Sequence, residues 1–386
     1  MEKKRIQWID NGKAVSIYII FLAHIFEGFV YKSAYGLNTP FERGVISLNF
    51  LSNFIIPFFF FMSGYVANVK QRNFKEYFIK KFSTIMIPMY IFNIISLILF
   101  LVVRTFYDGL LVEELRKYGF SKFTQLLLVF FAGIPSFNFP TWFLTCLFTT
   151  TLIFYFTYKV TKDKTKQLLI FSIFFAVVGY LMEPIKNNTP GFNYIMYFWF
   201  IPTAFTSTAF YLFGYLSRKF GFFEIIENKN ALKITVFSIS LIILLTLTYF
   251  FNFNRYPEYE HLRGGPYMNH LVFGNYFVFY ATAICGIFMS VSFSMFFKKN
   301  KLMDFIGLNT LYLLGFIGIF YQFTTGFVAY LYINFFIDKG YLFFISYCVF
   351  FSFLQLLLSL LFMKPVASII NYSVNFIQEK LTTIFA

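Results

Sequence analysis

About ten apolar runs follow one another along the chain, roughly at 13–31, 45–68, 83–103, 140–158, 167–183, 195–216, 232–251, 271–297, 305–335 and 340–363. A helix of roughly 20 apolar residues crosses the ~30 Å hydrocarbon layer, and only helices or closed barrels satisfy their backbone polar groups there. The sequence therefore predicts an all-α polytopic membrane protein, with a single transmembrane domain over residues 1–386. Composition agrees: 59% of residues are hydrophobic and 13% charged, against roughly 45–50% and 25% in soluble domains. The first run lacks the small-residue cleavage site of a signal peptide, and equally apolar segments follow it, so it reads as a span.

A net charge of +15 would suggest nucleic acid in a soluble protein, but in a membrane protein the placement of charge matters more than its total. With the N-terminus inside, the basic clusters at 3–5 with Lys13, 70–81, 159–166, 218–233 and 298–301, together with Lys364 and Lys380, all fall on one side. They hold most of the 32 Lys and Arg. The positive-inside rule then predicts both termini in the cytoplasm, with 1–12 a cytoplasmic N-terminus, 364–386 a cytoplasmic amphipathic tail, and the cytoplasmic membrane as location. Membrane lipids are the expected partner of the basic rim, and nucleic acid is not expected. Cys146, Cys285 and Cys348 each lie in an apolar run without ligand spacing, so neither a disulfide nor a metal is expected.

Two places depart from a plain bundle. Residues 104–139 carry mixed charge and then "TQLLLVFFAGIP", too short to span, which predicts an interfacial or re-entrant helix on the outer face. The loop "NFNRYPEYEHLRGGPYMNH", 252–270, mixes Arg255, Glu258, Glu260, His261 and Arg263 with Tyr and Gly, a composition that suits either a carbohydrate or plain solvation.

The candidate chemistry starts in "NGKAVSIYIIFLAHIFEGFV", residues 11–30. His24 lies about 16 Å along a helix from Lys13, which places it near the bilayer midplane if Lys13 sits at the cytoplasmic interface. An ionisable residue at that depth is costly and usually faces a cavity or a partner. Imidazole titrates near neutral pH, so His24 suits general-base work, and Glu27, one turn on, can either orient the ring or reach the outer interface. Lys13, Arg5 and Asp10 form the candidate cofactor-binding set at the cytoplasmic mouth. Ser63 and Tyr65 in "IPFFFFMSGY", Trp142 in "PTWFL" and Asn309 in "GLNT" are the candidate cavity residues, with helix packing and interfacial anchoring as the competing readings for Ser63 and Trp142. No His, Asp or Glu cluster has metal-ligand spacing.

In order along the chain, "WIDNGKAVSIYIIFLAH", "IPFFFFMSGY", "KKFSTIMIP", "PTWFL", "FYLFGYLSRK", "FGNYFVFYATAICG" and "DFIGLNTLYLLGF" resemble the integral membrane acyltransferase type 3 family, in particular its bacterial members that O-acetylate cell-surface sugars. The resemblance implies transfer of acetyl from cytoplasmic acetyl-CoA to a hydroxyl of a cell-surface or lipid-linked carbohydrate, and no metal. It also implies that Lys13 and His24 match a basic residue, ten residues, then a required histidine. Most relatives have arginine where Lys13 stands; lysine keeps the charge without the bidentate geometry toward phosphate. Many relatives carry a further histidine about where this chain has Ile317.

Two other readings stay open on the residues alone. A succinyl or other acyl donor fits the same family. A transporter of a lipid-linked sugar would use His24 and Glu27 as a proton relay and Pro57, Pro88 and Pro202 as breaks in its helices.

Overall fold

The computed structural model describes residues 5–33, 44, 47–69, 73–106, 122–189, 196–252 and 266–384. Lys3, Lys4, Lys70 and Arg72 of the basic clusters, and Arg255, Glu258, Glu260, His261 and Arg263 of the external loop, lie outside these. Among the described residues the chain is helical, with no strand beyond an isolated bridge between Tyr267 and Val272. The helices are α1 (Gln7–Ser33), α2 (Ser47–Tyr65), α3 (Phe74–Val103), α4 (Lys122–Ala132), α5 (Phe139–Thr161), α6 (Thr165–Asn188) and α7 (Ile201–Lys219). They continue as α8 (Asn230–Phe251), α9 (Tyr276–Ser294), α10 (Lys301–Leu308), α11 (Thr310–Phe323), α12 (Thr325–Phe335) and α13 (Tyr341–Ile384).

Eight of these helices are long and apolar enough to cross a membrane, or nine if the bent pair α10 and α11 is one span. The difference from about ten has two physical causes. The run at 195–216 does form helix α7, but it buries Thr203, Thr206, Ser207, Thr208 and Ser217 and so is not among the apolar set. Two of its hydroxyls are satisfied locally, Ser207 donating to the Thr203 carbonyl at 3.0 Å and Thr208 to Ala204 at 2.6 Å. The run at 305–335 is interrupted at Asn309, where α10 and α11 meet at 72°, and again at Thr324, before α12.

Helix α7 packs against α2, α5 and α6. It meets α2 backbone to backbone: a Cβ on Gly64 would overlap the Tyr211 carbonyl, and one on Gly214 would overlap the Phe61 carbonyl. In lipid, where tails are as apolar as Leu, such close approach is what drives helices together. Ser63-Gly64 thus takes part in packing, as its small residues allow. Within α2, Pro57 has no N–H for the Asn53 carbonyl, and the helix is interrupted by a turn at 53–54 before Phe58 bonds Phe54 at 2.8 Å.

Each end of the bundle is fixed by contacts. Trp8 packs on Tyr65 with ring centroids 5.0 Å apart, Lys219 bonds Asp163 at 3.0 Å, and Gly12 abuts Ser294; this is the basic end. At the opposite end Ser47 bonds Tyr341 at 2.9 Å, and Lys186 bonds the His270 carbonyl at 2.8 Å. Helix α4, as its shortness foretold, stops before it could span, at Gly133 in the left-handed region with φ 66°. The expected tail at 364–386 has no break before it, because α13 continues through Pro365 for 44 residues, about 66 Å. It stays docked through Ile370, which is buried, and Asn371, which accepts from Tyr312 at 2.7 Å.

Candidate functional site

The first two turns of α1 are pinned by polar contacts. Gln7 Nε2 donates to Asp304 Oδ1 at 2.6 Å, and Asn11 Nδ2 donates to the carbonyls of Ser294 at 3.2 Å and Phe297 at 2.9 Å, at the C-terminal end of α9. Gly307 of α10 lies so close to Asp10 that a Cβ there would overlap the Asp10 carbonyl. The helix therefore starts at Gln7, six residues before Lys13. Lys13 sits about 9 Å inside the helix rather than at its mouth, and His24 sits about 26 Å from Gln7 but only about 9 Å from Val30. Along α1, His24 thus lies nearer the Val30 end than the Gln7 end. Eleven residues turn a helix by about 1100°, three turns plus about 20°, so Lys13 and His24 share one face.

At that level His24 Nδ1 lies 2.6 Å from Glu27 Oε2, with side-chain exposures of 22% and 18%. A carboxylate offers only lone pairs, so Nδ1 carries the hydrogen and Nε2 is left as the basic nitrogen. Tyr321 of α11 packs on the ring at a centroid distance of 5.1 Å, closing one side of it. This is the geometry of an imidazole whose tautomer is set by a carboxylate.

The other sequence candidates fall elsewhere. Arg5 and Asp10 pair with each other at 2.8 Å, Arg5 half exposed and Asp10 10% exposed. Lys13 is half-buried and, among the described residues, its ammonium has no hydrogen bond or ion pair, although Asp10 and Arg5 are within reach of its charge. Tyr65 is buried against Trp8 and Phe223 at the basic end. Ser63 is half-buried two residues before it, and Asn309 sits at the α10–α11 bend with its Nδ2 on the Phe305 carbonyl at 2.7 Å. Trp142 is buried on Phe143 and Phe200 rather than standing at an interface. None of these four makes a hydrogen bond or ring contact to His24 or Glu27 among the described residues. Ile317 is buried in α11, and no imidazole stands at that position.

Sequence reasoning missed three aromatic residues here. Tyr321 lay inside an apolar run, and Tyr267 and His270 were read only as part of an external loop. Tyr267 packs against the apolar cluster that holds Ile25, Phe26 and Phe29 of α1, and the Glu27 carboxylate lies close enough for its charge to act on both Tyr267 and His270, so the turn lies at the His24–Glu27 end of α1. Burial pulls the His270 imidazole down to about 4, with Glu27 opposing and Lys186 assisting, which keeps it neutral at physiological pH. The available signal was positional: Lys186 and His270 each stand at the edge of an apolar run at the same end of the bundle.

Among the described residues no group of three or more His, Cys, Asp or Glu could hold a metal ion. The family model described as an acyltransferase domain, of the type 3 kind, matches residues 6–365. No curated protein and no solved structure matches the chain. A match over nearly the whole length, on a bundle of eight or nine apolar helices, makes the chain a member of the membrane acyltransferase type 3 family and a multi-pass membrane acyltransferase.

Proposed function

We propose that this enzyme moves an acetyl group from cytoplasmic acetyl-CoA to a hydroxyl of a cell-surface or lipid-linked carbohydrate, in the cytoplasmic membrane and with both termini inside. The observation that carries the proposal is the 2.6 Å His24–Glu27 pair, set on the same helix face as Lys13 and toward the end of the bundle away from the basic clusters.

The chemistry follows from that pair. His24 Nε2 takes the proton of the acceptor hydroxyl as its oxygen attacks the thioester carbonyl; Glu27, bonded to Nδ1, stabilises the imidazolium that forms. The tetrahedral adduct collapses by breaking the carbon–sulfur bond, and the departing thiolate takes the proton back from His24. Acyl transfer by this route needs no metal. Lys13, cationic and without a described partner, fits a phosphate of the donor, with the pantetheine arm running along the shared face toward His24.

Membrane vesicles with and without the protein, given radiolabelled acetyl-CoA and mild-alkali-deacetylated surface polysaccharide, test the reading. Label expected in alkali-labile, hydroxyl-linked acetyl groups supports it; label that appears only when succinyl-CoA replaces acetyl-CoA changes the donor, and no label with either overturns it. Replacing Lys13 by Ala is expected to raise the KM for acetyl-CoA about tenfold, while Lys13→Arg keeps it within about threefold of wild type. An unchanged KM in Lys13→Ala would remove Lys13 from the donor site.

A further inference from the structure

The turn that carries His270 is built as a rigid mount. Tyr267 and Val272 exchange backbone hydrogen bonds at 2.7 and 3.1 Å, and His270 N and Leu271 N bond back to Tyr267 and Met268 at 3.1 and 3.2 Å. Leu271 is buried with φ 52°, a left-handed conformation that a branched side chain adopts only where its surroundings impose it. Helix α6 grips the turn at two points, Lys186 Nζ on the His270 carbonyl at 2.8 Å and Glu183 accepting from Phe273 N at 3.3 Å. Thr203 of α7 adds a third, on the Met268 carbonyl at 3.2 Å.

What the mount presents is an imidazole with one nitrogen in use and one spare. Tyr197 Oη lies 2.8 Å from His270 Nδ1. Phe139 stacks on the ring at 6.1 Å with an interplanar angle of 26°, and Tyr197 and Tyr267 meet it edge to face. Nε2 has no hydrogen-bond partner among the described residues. Burial holds the ring neutral, and in the tautomer where the Tyr197 hydroxyl donates to Nδ1 the ring hydrogen is on Nε2. An anchored, half-buried imidazole with a spare nitrogen, on a turn packed against the His24 end of α1 through Tyr267, is placed to receive a ligand oxygen rather than only to pack.

We propose that His270 binds the acceptor: its Nε2–H donates to an oxygen of the carbohydrate whose neighbouring hydroxyl is deprotonated by His24. The carbohydrate would then lie between two imidazoles, one on α1 that moves a proton and one on the 267–272 turn that fixes orientation. This assignment rests on the acetyl-to-carbohydrate reading above. It also supplies the second imidazole that position 317 lacks, from a different element and for a different task.

The test is steady-state kinetics of purified protein in nanodiscs, with acetyl-CoA and mild-alkali-deacetylated surface polysaccharide as substrates. His270→Ala is expected to raise the KM for polysaccharide about tenfold or more, with the KM for acetyl-CoA and the slow hydrolysis of acetyl-CoA without polysaccharide unchanged. His270→Gln, which keeps an N–H near the Nε2 position, is expected to recover at least about a third of that loss. A wild-type polysaccharide KM in His270→Ala overturns the assignment and leaves the acetyl-transfer reading standing. Equal loss of hydrolysis and transfer in both variants, or of folded protein by size-exclusion chromatography, assigns His270 to structure and overturns it too. If wild-type protein hydrolyses acetyl-CoA but never labels polysaccharide, the carbohydrate reading itself falls, and the assignment with it.

Discussion

His24→Ala loses about 10³-fold or more of acetyl transfer, while the protein reaches the membrane at the wild-type level. The size of the loss follows from the role: a positioned base contributes roughly 10²–10⁴-fold, and nothing else among the described residues contacts Glu27 as a replacement. Glu27→Gln loses less, about 10–100-fold, because an amide still meets Nδ1 but no longer offsets the imidazolium charge. The double variant loses no more than His24→Ala alone, since the two side chains act as one unit. Acetyl content of surface polysaccharide by proton NMR, with membrane levels matched by immunoblot, checks all three. Full activity in His24→Ala would refute the base; additive losses would separate Glu27 from it.

The second large effect is on the fold. Gly64→Val places a branched side chain where the Tyr211 carbonyl stands, and Gly214→Val does the same against Phe61. Backbone cannot step aside as a flexible side chain can, so α2 and α7 must separate, at a cost of at least about 3 kcal/mol. Each variant is expected to lose most of its folded protein, seen as a collapsed monodisperse peak in detergent size-exclusion chromatography and a drop of thermal midpoint. Gly340→Ala is the control, because a Cβ there meets nothing within 4 Å, and it is expected to behave as wild type. A normal peak for Gly64→Val would mean that the α2–α7 crossing is looser than drawn.

The helical class was legible because the hydrocarbon layer imposes one length on every span, and length survives in sequence as an apolar run. Helix α7 shows where that rule weakens. Ser207 and Thr208 bond carbonyls one turn back, and Thr203 and Thr206 bond neighbouring elements, so a helix can be buried and polar at once, and hydropathy alone does not place it. The bend at Asn309 was hidden for the opposite reason, since apolar residues continue on both sides of it. The His24–Glu27 pair could be read from i, i+3 spacing on one helix, whereas the partners brought by other elements, Tyr321 from α11 and His270 from a turn held by α6, depend on packing that no local pattern encodes. The start of α1 at Gln7 was hidden because Lys13 looked like a helix mouth, although Gln7 and Asn11 carry the polar anchors that hold the helix below it.

In the proposed reaction, the place of His24 toward one end of α1 bears on which substrate must enter an apolar medium. Moving a single hydroxyl out of water without a replacement bond costs roughly 2–7 kcal/mol, so a sugar bearing several would meet a steep barrier in the bundle interior. With His24 about 9 Å along the helix from Val30, a sugar approaching from that side would need only a shallow, polar vestibule, and the long slender arm of the proposed thioester donor would make the crossing instead. An enzyme that runs the proposed reaction this way would be a permeability filter as well as a catalyst: it would pass an activated two-carbon unit through the membrane while its polar acceptor stayed at the aqueous boundary.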